Sequence, residues 1–232
     1  MINGMARRPA RATSDESLNG QPMILGPTRA EVRSAVESLP EDLPWDEMSS
    51  RLRPMFVRRR PMPPGAEHPV TFNVSPGLTV ALGVDIGPAF LYVGGGVLSG
   101  WPVTADEAFE RAMANLRATV EAERYHEMEY GTVADIPIWW YQSHGGLASG
   151  LLLLQDELMR RYGDDPRLLI APMRNLLLAA PFDADRELVE WLRDEIAFED
   201  PNGLDLPVFA LIDGRLSIDR RAQTHQRARL VH

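Results

Sequence analysis

The chain contains no cysteine and no lysine. The first absence excludes disulfides, thiolate-bound zinc, iron–sulfur clusters and a cysteine nucleophile. The second excludes a Walker-type phosphate lysine, a Schiff-base lysine for pyridoxal phosphate and the lysine of a kinase site. No run approaches the roughly 18 apolar residues of a membrane span, and the first residues carry no apolar leader core. No membrane partner is expected, and the expected address is cytoplasmic. No repeat with a period of roughly 20 to 50 residues is visible either.

What is present is ordinary for a folded protein. In 232 residues, 44% are hydrophobic and 25% charged, enough to fill one sizeable core. All 24 basic residues are Arg, set against 33 Asp and Glu, for a net charge of −9. The charge is uneven. From Pro102 to Asp213, 9 Arg face 22 Asp and Glu, which puts −13 on this stretch and +4 on the remainder. An acidic body repels nucleic acid over most of its surface, so no nucleic-acid partner is expected.

Residues 1–22 are polar and without period, and read as a disordered N-terminal tail. Residues 221–232 read as a basic C-terminal tail. Between them, residues 23–220 are expected to form a single α+β domain. Its first part, 23–66, is a helical, Pro-rich lead-in. Thr28 and Glu31 mark a capping box there, Val32, Val36 and Leu39 a helical stripe, and Trp45 to Leu52 a short helix. From His68 the period changes to two: HPVTFNV, LTVALGV and AFLYV read as strands.

The clearest helix is PVTADEAFERAMANLRATVEAERYHEM, opened by the Thr104/Glu107 capping box. Ala108, Phe109, Ala112, Met113, Leu116 and Val120 form its apolar face. DIPIWWYQ follows as a strand, and SGLLLLQDELMRRYG as a helix from Ser149 to Gly163. RLLIAP and NLLLAAP are unbroken apolar runs, which suits strands buried on both faces, with Arg174 and Asn175 in the reversal between them. DADRELVEWLRDEI is a third helix capped by Asp183 or Asp185, and Asp213-Gly214 joins a last hairpin through a type I′ turn. Strand runs with interspersed helices predict α+β, a mostly antiparallel sheet with helices packed on one side.

AFERAMANL, followed by GDDPRLLIAPMRNLLLAAP, resembles the YtpQ-like family of uncharacterised bacterial proteins. Ala112, Asn115 and Leu116 carry the family's Ala-x-x-Asn-Leu pattern. Pro172 and Arg174 carry most of its Pro-x-Arg-Asp turn, with Asn175 where the family has Asp. The resemblance covers roughly Val70 to Ile196. It implies the same order of elements and no activity.

Four stretches invite chemistry. YVGGGVLSG is Gly-rich, but lacks the G-x-G-x-x-G spacing and a lysine, so it reads as a turn leaving a strand. SHGGLASG is similar to an esterase oxyanion loop around His144, yet no G-x-S-x-G elbow exists to supply a nucleophile. Glu123 and His126 share Glu-x-x-His spacing, but no second pair completes a di-iron site, and a zinc protease would need His at Tyr130. No metal and no cofactor is therefore expected. Arg174 stands between two buried runs and requires either solvent or an anionic partner.

Two functional readings follow. The first is a non-catalytic protein-interaction or regulatory module, binding another protein or a second copy of itself. The second is a small hydrolase or anionic-ligand-binding protein with a cleft near His144, Arg174 and Asn175, so whether the chain is an enzyme stays open.

Overall fold

The computed structural model describes residues 28–57, 67–75, 78–123, 129–143, 145–199 and 203–220. The expected tails, His144 and His126 lie outside the described residues. The fold is α+β, with ten strands in two antiparallel sheets among the described residues.

In the four-stranded sheet, β3 (Leu78–Asp85) is central. β1 (Leu52–Phe56) pairs along one side of it, while β2 (Thr71–Ser75) and β4 (Phe90–Tyr92) run end to end along the other. No strand was expected before His68, because Pro54 interrupts the pattern. Proline is tolerated where it is because β1 is an edge. The Val57 N–H donates to Thr79 O, so by alternation the Pro54 nitrogen faces the open side, where no donor is needed.

The lead-in supplies α1 (Arg29–Glu37), α2 (Trp45–Met48) and a 3-10 turn, Ser49–Arg51. The Thr28/Glu31 capping box forms as read. The stripe is rotated, however: Ala35 and Leu39 pack on the cluster around Met48 and Leu52, and Val36 is exposed. After β4 comes a five-residue helix, α3 (Gly95–Ser99), with Gly94 at its N-cap and the other two glycines in its first turn. Its Gly96 N–H donates to Glu67 at 2.6 Å, so the chain's own carboxylate is bound at the glycines.

The long helix α4 spans Ala105–Ala122 with Glu123 at its C-cap, and residues 124–128 of the expected stretch lie outside the described residues. Thr104 makes the capping box: its backbone N–H, then its hydroxyl, hold the Glu107 carboxyl below the usual carboxylate range. Ala108, Ala112, Leu116 and Val120 recur every four residues and are all buried, which lays one face of α4 along β1. Phe109 stacks on Phe72 of β2 with ring centroids 4.4 Å apart. Asn115 donates from Nδ2 to the carbonyls of Ser49 and Leu52, at 2.8 and 3.1 Å, and so closes the start of β1. The Ala-x-x-Asn-Leu pattern is thus a packing device: two buried side chains and an amide that satisfies an edge strand.

The larger sheet runs β10-β9-β7-β8-β6-β5. Its strands are β5 (Glu129–Val133), β6 (Ile136–Gln142), β7 (Arg167–Met173), β8 (Leu176–Pro181), β9 (Phe209–Ile212) and β10 (Arg215–Ile218). No strand was expected between the helical stretch ending at Met128 and DIPIWWYQ, where β5 lies. β5 pairs with β6 through Ala134 and Asp135, both at positive φ, which gives the primed turn that suits strand twist. One face, with Ile138, Trp140, Leu168, Ile170 and Leu178, packs on α6 (Arg186–Glu199). Asp185, not Asp183, caps α6, accepting the Glu187 N–H at 2.9 Å.

The other face packs on α5 (Gln155–Tyr162), a 3-10 stretch (Ala148–Leu153), Leu116 and Val120 of α4, and Phe56 and Val80 of the smaller sheet. The two sheets therefore share a core, and β7 and β8 are buried on both faces, as their unbroken apolar runs require. The helix expected from Ser149 splits at Leu154 because residues 148–152 are enclosed on all sides. Gly163 closes α5 at φ +71°.

Candidate functional site

The Arg174–Asn175 turn is placed as the sequence indicated, between β7 and β8, with Met173 opposite Leu176. Neither residue has positive φ, so this is not the primed turn that two-residue hairpins prefer. The mismatch is absorbed by a register shift between Ile170 and Met173. Pro172 lies within that irregularity, where a missing N–H breaks no ladder, and its carbonyl accepts the Leu204 N–H at 2.7 Å.

Both carbonyls of the turn are used. Asn175 O accepts the Ser143 N–H and Arg174 O accepts the Ser149 N–H, each at 2.9 Å. They anchor the two ends of the loop that carries His144. The half-buried Arg174 side chain reaches the other sheet: Nη2 lies 3.4 Å from the Tyr92 hydroxyl, and the guanidinium lies 5.6 Å from the Phe90 ring centre. Gly146, at φ +69°, brings the loop against the same ring, and a Cβ there would stand 3.3 Å from it. Arg174, Asn175, the loop and β4 thus converge where the two sheets meet.

At one end of that loop stands Glu123, whose Glu-x-x-His spacing to His126 was weighed as a metal pair and set aside. Its Oε2 accepts both the Tyr141 hydroxyl and the Ser143 hydroxyl, each at 2.8 Å. Burial first, and then the bond to Glu123, push the Tyr141 hydroxyl pKa upward, so Tyr141 is a fixed proton donor. Ser143 is buried and is also held by the Leu147 N–H. Carboxylate, phenol and serine are bonded to one another, which holds this end of the loop. Tyr130 lies on β5, half exposed beside Trp139. Among the described residues, no group of three or more His, Asp and Glu is arranged to hold a metal.

A different surface was not read from the sequence. α6 turns its inner face to the sheet through Val189, while its outer face shows Trp191, 48% exposed, and Phe198, 84% exposed. They are seven residues apart, two helical turns, and so share one side. Exposed Glu187, Asp194 and Glu195 lie around them. The signal was present as two aromatics at i and i+7 in EWLRDEIAF, but the helix as read stopped at Ile196, before Phe198. No helix among the described residues is long and apolar enough to cross a membrane. No protein-family model, curated protein or solved structure matches the chain.

Proposed function

We propose that the chain is a non-catalytic protein-interaction module that uses the outer face of α6 to grip a basic, partly apolar segment of a partner. One observation carries this reading: two large aromatics stand in solvent on one side of a helix whose opposite side is fully engaged. Exposed Trp and Phe anchors ringed by polar residues are the usual composition of a binding hot spot. Acidic neighbours select a cationic partner and repel a second α6 face of the same charge.

The polar cluster at the loop supports the same conclusion from the other side. Ser143 and Tyr141 are spent on Glu123, so the residues best suited to hydrolysis serve to hold the loop. The positions that carry the likeness to the YtpQ-like family also build the fold, so that likeness bears on architecture.

The test is a double substitution, Trp191→Glu with Phe198→Glu, compared with wild type as immobilised bait in an extract of the native host. Both side chains point to solvent, so the melting temperature should stay within a few degrees of wild type. The captured partner should be lost from the variant and released from wild type by salt. Equal capture by both baits, or none by wild type, would refute the reading.

A further inference from the structure

At the end of α5 the chain turns sharply into β7, and three donors gather in the corner. Arg161 and Tyr162 close the helix, and Arg167 opens the strand after the exposed residues 163–166. Each guanidinium lies on an aromatic ring of β6: Arg161 at 4.3 Å from the Tyr141 ring centre, Arg167 at 4.0 Å from that of Trp139. Trp139 and Tyr141 are two residues apart in one strand, so they share a face and stand about 7 Å apart. Burial pushes the Tyr162 hydroxyl pKa upward, and the charges of Arg161 and Arg167 oppose that push.

The corner is dry and underused. The Arg161 side chain is 8% exposed and Tyr162 is 5% exposed. Arg161 Nε donates to Glu157 Oε1 at 2.6 Å, and Arg160 reaches the other oxygen of the same carboxylate. Among the described residues, Arg161 Nη2, Arg167 Nε and the Tyr162 hydroxyl are buried with no hydrogen-bond partner. Arg167 has only a long contact to the exposed Asp165, at 3.5 Å. Three guanidiniums thus meet two carboxylates, and buried donors without acceptors are rare in folded proteins.

We propose that this corner binds a small oxyanion, a carboxylate or a phosphate, between Arg161 and Arg167 with the Tyr162 hydroxyl as third donor. An oxyanion offers several lone pairs to a set that consists of donors, and guanidinium planes held on rings are preorganised to meet it. The site faces away from α6, on the opposite side of the larger sheet, so it stands or falls independently of the interaction surface.

The experiment is thermal unfolding of the full chain in sodium acetate and in sodium phosphate. Each is compared with a bulky sulfonate buffer at equal ionic strength, for wild type, Tyr162→Phe and Arg167→Gln. Wild type should show a saturable rise in melting temperature in at least one oxyanion, about 5 °C at a hundred times its Kd. Which anion produces it identifies the class. Both variants should lose at least half of that rise. Equal rises in all three proteins would mean a general salt effect and overturn the site. A Tyr162→Phe protein destabilised equally in every salt would mean a buried water, and also overturn it. Should Tyr162→Phe fail to fold, Arg167→Gln alone decides by the same criterion.

Discussion

Three hairpins of the larger sheet have loops of two residues, and two of those loops, Asp213–Gly214 and Arg174–Asn175, are built in opposite ways. Asp213 and Gly214 adopt φ of 48° and 71°, the primed turn whose twist matches the strands, and β9 and β10 keep an unbroken register. Arg174 and Asn175 adopt no positive φ, and β7 and β8 shift register to accommodate them. The first turn joins its two strands. The second binds the loop 143–149 through both carbonyls and touches the smaller sheet through its Arg. A turn that follows the local preference is a connector; here the turn that departs from it assembles the tertiary structure.

Exchanging the turns would break this contrast most severely. Arg174→Asp with Asn175→Gly favours the primed geometry, which moves the carbonyls away from the buried Ser143 and Ser149 N–H groups. Two orphaned buried donors should cost about 3 kcal/mol in urea unfolding. The reciprocal change, Asp213→Arg with Gly214→Asn, should cost less, about 1 kcal/mol, because Asn tolerates positive φ and only strain and a close approach to Met159 are added. A larger loss from the second pair than from the first would invert the comparison. Arg174→Ala is the gentlest probe. It keeps the carbonyls and removes a half-buried side chain, so a loss of about 1 kcal/mol is expected, with faster hydrogen exchange confined to β4. Unchanged exchange in β4 would show that the side chain does not tie the sheets together.

The same distinction explains what could be read in the sequence. Asp213-Gly214, both capping boxes and the unbroken runs of β7 and β8 are local signals, and each appears in its place. β1 could not be read because Pro54 argues against a strand unless the strand is known to be an edge, and that depends on where β3 lies. β5 was hidden because EAERYHEMEY continues the charge pattern of α4, although Gly131 and the later strand DIPIWWYQ hinted at a hairpin. Arg174 and Asn175 were legible as a turn, but their partners are Tyr92, Phe90, Ser143 and Ser149, far away in the chain. The Glu123 network and the corner of Arg161, Tyr162 and Arg167 were invisible for the same reason. In each, aromatic residues of β6 meet charged residues of elements distant in the chain.

The proline in β1 has an effect beyond its own strand. An incoming chain that tries to extend the smaller sheet at β1 finds no donor at Pro54, and finds the Leu52 carbonyl already taken by Asn115. The template for fibre growth is spoiled at that border by one ring and one amide. β5, at one border of the larger sheet, has neither device: it holds no proline, and Tyr130 on it is exposed. Misassembly of this protein under stress should therefore begin at β5, and a proline introduced there on the solvent-facing side is where an engineer would intervene first.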